Sequence, residues 1–116
     1  YRSIIANIPI EVAFPLTQTY PGFELKQGMR GDSVKAIQEY LNYIALFFKN
    51  VPTVAPSGYF GPSTTTAVRR FQNEFGLKKD GIVNEETFNE ITTVYTDLRM
   101  QQLRGSEQAP TYVLKQ

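Results

Sequence analysis

The sequence contains neither cysteine nor histidine among its 116 residues. Without cysteine the chain forms no disulfide bond and no thiolate metal site, and it suits reducing and oxidising compartments alike. Without histidine it lacks the usual general base near neutral pH and the commonest zinc ligand. These two absences argue against a metallohydrolase or a Ser-His-Asp centre within this chain.

Long apolar runs and a strong net charge are also missing. No apolar segment approaches the roughly 18 residues that a membrane-spanning helix needs. Lys and Arg total 12 while Asp and Glu total 11, so the net charge is only +1. Such a charge creates no long-range field that would favour nucleic acid or an anionic membrane. We therefore expect neither a membrane span nor a nucleic-acid partner.

The two ends of the chain differ in composition from the middle. Residues 1–20 include Pro9 and Pro15 among apolar residues, which disfavours a central strand and predicts an extended arm or the end of a preceding domain. Residues 104–116 lack helical periodicity and predict a linker or tail. Because Tyr1 is neither an initiator methionine nor the start of a signal peptide, we expect a piece of a longer protein. The predicted domain comprises residues 21–103.

The first amphipathic pattern predicts a helix that begins at Asp32 or Ser33, both favourable N-cap residues. Apolar residues then recur at spacings of three and four, the period of one helix face. They are Val34, Ile37, Leu41, Ile44 and Phe48. This stripe is predicted to face the core, and neighbouring aromatic residues widen it.

Two further helices are predicted, each after a turn that contains glycine. The second has Gly61 near its cap, Pro62 in its first turn and Gly76 at its end. Its predicted core residues are Ala67, Val68, Phe71 and Phe75. The third is capped by Asn84, and its predicted core residues are Phe88, Ile91, Tyr95 and Leu98. The expected fold is an all-α, small three-helix orthogonal bundle with two loop-helix repeats and an extended N-terminal arm.

A short phrase that feeds the second and third helices occurs twice. Its copies are Gly58-Tyr59-Phe60-Gly61-Pro62-Ser63-Thr64 and Gly81-Ile82-Val83-Asn84-Glu85-Glu86-Thr87. Each places glycine, two apolar residues, a helix-starting residue and then threonine before an amphipathic run, which predicts a tight turn that leads into a helix. Duplicated units of this kind usually present a binding surface and seldom a catalytic centre.

The motifs along the chain resemble those of the peptidoglycan-binding domain, a non-catalytic module of bacterial cell-wall hydrolases. The matching segments occur in the family's order: Gly28-Met29-Arg30-Gly31, Ile37-Gln38, Gly58-Tyr59-Phe60-Gly61 with Thr64, Ala67-Val68-Arg69-Arg70-Phe71-Gln72, Gly76-Leu77, Asp80-Gly81 and Thr87. The resemblance covers residues 21–98. The segments around Pro21 and Pro56 look like the variety found in spore-forming clostridia and bacilli, including modules of spore cortex-lytic enzymes.

Two positions depart from the family pattern. Ser57 stands where relatives often carry aspartate, and Asn84 stands where the last glycine is expected. Asparagine caps helices well and tolerates left-handed geometry, so we expect the fold to survive this change. Ser57 removes one carboxylate that would have been available to a ligand.

The resemblance implies a binding module that targets an attached hydrolase to peptidoglycan, outside the cell, in the cell wall or in the spore cortex. It implies a monomer whose partners are peptidoglycan and the attached catalytic domain, without a cofactor, metal or catalytic residue of its own. In agreement, no nucleophile–base pair can be assembled from the sequence. The alternative is a module that packs against its own catalytic domain or a coat protein and binds no glycan. Exposed Phe14 and Tyr20 would favour it if they joined the third helix in one patch.

Peptidoglycan offers sugar rings, N-acetyl groups and stem-peptide carboxylates, so a binding surface needs an aromatic platform, amides and a cation. The candidate ligand-binding residues are Tyr59, Arg69, Arg70, Gln72 and Asp80. Tyr59 should face outward because Phe60 is expected in the core, with packing at the rim as its alternative. For Gln38 and Gln72 the favoured role is a hydrogen bond to loop backbone. Lys78 and Lys79 beside the two arginines offer a minor alternative, a basic patch for anionic wall polymers.

Overall fold

The part of the chain that the structure describes contains three helices, as the sequence predicts. A computed structural model describes residues 17–104. Helix α1 spans Asp32–Ala45, α2 spans Pro62–Glu74 and α3 spans Glu85–Arg104. Within that range the only extended pairing consists of two isolated antiparallel bridges, Leu25 with Val83 and Arg30 with Tyr59. The predictions for residues 1–16 and 105–116 lie outside the described residues.

Helix α1 begins where it is predicted but is capped differently. Gly31 is the N-cap residue and no side chain bonds to the first turn, so Asp32 is not a cap. Its carboxylate instead lies in the first turn, where it complements the helix dipole. The helix ends at Ala45, so Phe48 lies beyond the stripe and is only partly buried, 5.0 Å from the Phe75 ring centroid. The other four stripe residues are fully buried: Val34, Ile37, Leu41 and Ile44.

Helix α2 confirms both predicted end signals. Gly61 is its N-cap residue and Pro62 its first residue. At the other end Gly76 has a φ of +75°, and the Leu77 N–H donates to the carbonyl of Gln72 at 2.8 Å, as in a Schellman ending. Phe75 is the C-cap residue and is only partly buried, which corrects its predicted place in the core.

Helix α3 begins after a side-chain cap. The Asn84 Oδ1 accepts a hydrogen bond from the Thr87 N–H at 2.9 Å, which confirms the predicted cap. Phe88, Ile91 and Leu98 are fully buried as predicted, but Val94 takes the place that the sequence assigns to Tyr95. Tyr95 is partly buried and its ring lies 4.7 Å from that of Tyr40.

The core lies chiefly between α1 and α3, with a smaller contact between α1 and α2. Its largest buried side chains are Phe60, Phe71 and Phe88. The described end of the predicted arm packs onto this body: the Gln18 N–H donates to the Tyr40 hydroxyl at 3.0 Å. Tyr20 packs edge-on against Phe88, with ring centroids 5.6 Å apart, so it belongs to the domain rather than to an exposed patch. No helix in residues 17–104 is long and apolar enough to cross a membrane.

The Asn84 cap should contribute measurably to the free energy of unfolding. Asn84→Ala leaves the Thr87 N–H without its side-chain acceptor, so the free energy of unfolding should fall by about 1 kcal/mol in urea denaturation followed by circular dichroism. The matched control is Asn89→Ala at an exposed position in the same helix, which should change it by less than about 0.5 kcal/mol. Equal losses in both variants would contradict the capping role.

Candidate functional site

The first repeated turn is bound by a glutamine from the helix before it. The Gln38 Oε1 accepts a hydrogen bond from the Gly58 N–H at 2.8 Å. Its Nε2 donates to the Tyr59 carbonyl at 2.8 Å and to the Thr64 Oγ1 at 3.0 Å. The Gln38 side chain belongs to α1 and is fully buried. Its single amide group therefore bonds two backbone groups of the turn and one side chain of the helix that follows.

The second turn is bound in the same way by Gln72 of α2. Its Oε1 accepts from the Gly81 N–H at 2.9 Å, and its Nε2 donates to the Ile82 carbonyl at 3.0 Å and to the Thr87 Oγ1 at 3.2 Å. The Gln72 side chain is only 1% exposed. The favoured interpretation of both glutamines as ligands of loop backbone is therefore confirmed, and Gln72 lies inside the protein rather than on its surface.

The residue before each glycine also has the same function in both turns. The Ser57 Oγ accepts from the Tyr59 N–H at 3.1 Å, and the Asp80 Oδ1 accepts from the Ile82 N–H at 3.0 Å. Serine thus keeps the local hydrogen bond that aspartate makes in the second turn. The departure from the family pattern at position 57 keeps this bond but removes a charge, and within the described residues Ser57 has no counterpart of the bond that the Asp80 Oδ1 accepts from the Gln72 Nε2 at 3.1 Å.

In both turns the first side chain after the glycine is less buried than the second, although Ile82 in the second turn is itself partly buried. Gly58 and Gly81 have φ values of +86° and +75°, which side-chain-bearing residues rarely adopt. In the extended backbone that follows, Phe60 is fully buried whereas Tyr59 is 37% exposed. The expectation that Tyr59 faces outward is confirmed.

A single N-terminal segment, residues 25–31, connects the two turns. Leu25 and Val83 exchange two backbone hydrogen bonds of 3.0 and 2.8 Å. Further along, the Gly28 N–H donates to the Phe60 carbonyl and the Phe60 N–H to the Met29 carbonyl, both at 2.8 Å. Both turns are therefore held side by side against one segment of backbone.

An exposed surface, which we call the turn face, runs across the two turns; it comprises Gln27, Arg30, Tyr59, Thr65 and Arg69. The Arg30 guanidinium carbon lies 4.5 Å from the centroid of the Tyr59 ring, a cation–π contact. The same ring covers Gly61: a methyl group added there would lie 3.1 Å from Tyr59 Cε2. Tyr59 is thus held between an arginine and the start of α2.

Thr65 continues the turn face toward the second turn. Its hydroxyl donates to the Gln27 Oε1 at 3.0 Å. A methyl group added to Gly81 would lie 2.8 Å from Thr65 Cγ2 and 3.3 Å from Arg69 Cγ. Thr65 and Arg69 therefore pack directly against the backbone of the second turn, where no larger residue than glycine fits without displacement.

The structure separates the five sequence-predicted site residues into groups. Tyr59 and Arg69 lie on the turn face, whereas Arg70, the next residue of α2, points about 100° away around the helix. Gln72 supports the second turn from the interior, and the partly exposed Asp80 bonds the backbone of that turn. Arg30, Gln27 and Thr65 were missed, because they reach the turn face through pairings distant in sequence and carry no local signal.

Asp80 has a perturbed acidity. Partial burial alone would raise the pKa of its carboxyl, but hydrogen bonds from the Ile82 N–H and the Gln72 amide, with the nearby charge of Lys78, lower that pKa below its ordinary value. The ionised carboxylate is therefore the form that the second turn stabilises. Among residues 17–104 there is no group of three or more His, Cys, Asp or Glu side chains that could hold a metal ion.

A family model described as a putative peptidoglycan binding domain matches residues 30–91, which include both turns and both glutamines. The zinc D-Ala-D-Ala carboxypeptidase of Streptomyces albus G is 37% identical over 73 residues, which are 63% of this chain and 28% of that protein. The spore cortex-lytic enzyme of Halalkalibacterium halodurans is 40% identical over 62 residues, or 53% of this chain and 17% of that enzyme. The chain thus spans well under a third of either relative.

A similar fold also occurs among solved structures. The crystal structure of the SleB N-terminal domain superimposes with a TM-score of 0.59 at 27% sequence identity, and the match covers 66% of this chain and 99% of that one. The three-helix fold and the family resemblance of the sequence are both confirmed by these similarities.

Removal of the Gln72 amide should destabilise the domain strongly. Gln72→Leu keeps the volume of the side chain but leaves the buried Gly81 N–H without its acceptor, and the Ile82 carbonyl loses a donor. We expect the free energy of unfolding to fall by about 2–4 kcal/mol in urea denaturation. The control Asn73→Leu, at the exposed neighbouring position, should change it by less than about 1 kcal/mol. A loss no larger than that of the control would contradict the role of Gln72.

The lowered pKa of Asp80 predicts that the stabilisation contributed by its carboxylate is lost in acid. A carboxyl whose pKa is lower in the folded than in the unfolded state stabilises the fold above the unfolded value of about 4, and this contribution is lost as pH falls through the folded pKa. Asp80→Asn should therefore be less stable than the wild type at pH 7, and the difference should shrink below about pH 4. Urea denaturation from pH 2 to 7 tests this, and parallel pH profiles for the two proteins would contradict it.

Proposed function

Because this chain belongs to the family of putative peptidoglycan binding domains, we propose that it binds peptidoglycan without catalysing a reaction and targets an attached hydrolase to that polymer. Two relatives that share the segment are a zinc D-Ala-D-Ala carboxypeptidase and a spore cortex-lytic enzyme. The shared segment is a minor part of each, which supports a module joined to a separate catalytic domain. We place its site of action outside the cell, in the cell wall or the spore cortex.

The observation that carries this proposal is the exposed Tyr59 ring on the turn face. The ring is held from one side by Arg30 and covers Gly61, so its orientation is set before a ligand arrives. The part of the ring that Arg30 and Gly61 leave exposed is fixed in orientation, so it buries apolar area at a low entropic cost, and sugar rings present apolar C–H surfaces that pack against it. Tyr59 is therefore the proposed contact for the glycan strand.

The other candidate residues act around this platform. Arg69 extends the turn face with a cation, and Arg70 adds a second cation on the adjoining surface of α2. Asp80 and Gln72 act indirectly, because their hydrogen bonds hold the second turn, against which Arg69 packs. The proposed surface is shallow, so a useful affinity depends on the repeating polymer and on the effective concentration that attachment to a hydrolase provides.

Co-sedimentation with purified peptidoglycan tests the proposal. The intact domain should be retained, and Tyr59→Ala should weaken binding about 3- to 10-fold, the amount expected for one aromatic contact of about 0.5–1.5 kcal/mol. The matched control is Leu46→Ala, which truncates a residue that is 70% exposed just past the far end of α1 and should bind like the wild type.

Two results would contradict the proposal in different ways. No retention of the intact, folded domain would contradict peptidoglycan binding itself. Retention that Tyr59→Ala and Leu46→Ala reduce equally would contradict the placement of the contact on the turn face. Circular dichroism of each variant establishes that a lost interaction does not reflect a lost fold.

A further inference from the structure

Two arginines on the turn face have no acidic partner in the described part of the chain. The Arg30 guanidinium contacts the Tyr59 ring, and Arg69 contacts the second turn at Gly81. Within residues 17–104 neither of them forms an ion pair. Both side chains are exposed, so their charges are open to a ligand.

Both arginines are nevertheless held in place. Arg30 lies 4.5 Å from the centre of the Tyr59 ring. The Arg69 side chain lies along the second turn, with Cγ 3.3 Å and Nε 3.4 Å from the position of a methyl group added to Gly81. An arginine that is already packed loses less rotamer freedom when it binds, and its planar guanidinium matches a carboxylate through two parallel hydrogen bonds.

The two cations flank a continuous surface. From Arg30 the contacts lead through the Tyr59 ring to Gly61, whose carbonyl accepts a hydrogen bond from Thr65, and from Thr65 to Gly81 and Arg69. Gln27 lies between the two ends, bonded through its Oε1 to Thr65. Gln27 is exposed and its Nε2 donates to no group within residues 17–104, so this amide donor is available to a ligand.

We propose that the turn face binds the free carboxylates of the stem peptide through Arg30 and Arg69, while Tyr59 contacts the neighbouring sugar; this rests on the proposed function. An aromatic platform alone would bind uncharged glycan equally well. Two oriented guanidinium groups and an amide donor instead match an acidic peptide, whose carboxylates accept charge-assisted bonds and whose backbone carbonyls accept from Gln27. Amidation of those carboxylates therefore weakens binding.

The experiment compares one peptidoglycan preparation in two chemical forms. One half is left untreated, and the free carboxylates of the other half are converted to amides with carbodiimide and ammonium. The wild type should bind the amidated form about tenfold more weakly, as expected for the loss of a charge-assisted bond. Arg30→Gln and Arg69→Gln should each bind the untreated form less tightly and respond less to amidation.

Lys49→Gln supplies the matched control. It removes one positive charge at an exposed position beside Asn50, whose side chain bonds Glu74 at the end of α2 remote from the turn face. This variant should bind both forms as the wild type does. Equal weakening by Lys49→Gln would show general electrostatic attraction and overturn the assignment to the two arginines.

The remaining outcomes separate this inference from the proposed function. If the wild type binds both forms equally, carboxylate recognition is wrong although peptidoglycan binding stands. If the wild type binds neither form, peptidoglycan binding itself fails. If the arginine variants bind like the wild type but amidation still weakens binding, other residues bind the carboxylates and the assignment to Arg30 and Arg69 is wrong.

Discussion

The structure depends on a buried glutamine amide that satisfies the backbone of the turn ahead of it. Glutamine carries a donor and an acceptor on one planar group, so Gln38 and Gln72 can each accept from a glycine N–H and donate to the following carbonyl. Left unpaired in the interior, each such backbone group would cost about 1–3 kcal/mol. Each helix thereby sets the geometry of the turn that starts its successor, and the domain is built from two copies of this step.

This arrangement also couples the core to the surface. Successive side chains of the extended backbone after Gly58 point in opposite directions, so Tyr59 lies outside and Phe60 in the core once Gln38 fixes the turn. The segment 25–31 then bonds to both turns, so the exposed groups lie on backbone that the core already orders. Ser57 and Asp80 show how such a turn can vary: each accepts a bond from the N–H two residues later, but only Asp80 carries a charge. The charge of such a turn can thus change while this backbone hydrogen bond is kept.

Local signals in the sequence predicted most of the fold. The Asn84 cap, the Gly61-Pro62 helix start and the inward roles of both glutamines were all recognised from neighbouring residues and are confirmed. The predictions of core residues failed where the helical period alone did not decide which residue is buried or where the helix ends. Val94 and Tyr95 both lie on the inner arc of α3, and the smaller, wholly apolar residue is the one fully buried, because a tyrosine hydroxyl needs a polar partner and stays at the rim. Phe48 fits the helical period of α1, yet the helix ends at Ala45 and the ring packs from the loop.

The sequence by itself determined the three helices, both ends of α2, the start of α3 and the two equivalent turns, because capping, glycine geometry and apolar periodicity act between residues within a few positions of one another. Only the tertiary structure decided which polar groups share the turn face. Arg30 meets Tyr59 through an isolated bridge, and Gln27 meets Thr65 across 38 positions of sequence. Such pairings leave no local pattern, because they arise when the core orders the turns against a distant backbone segment. For the same reason Gln72 and Arg69, neighbours in one motif, have opposite surroundings: Gln72 faces the core and Arg69 lies on the exposed turn face.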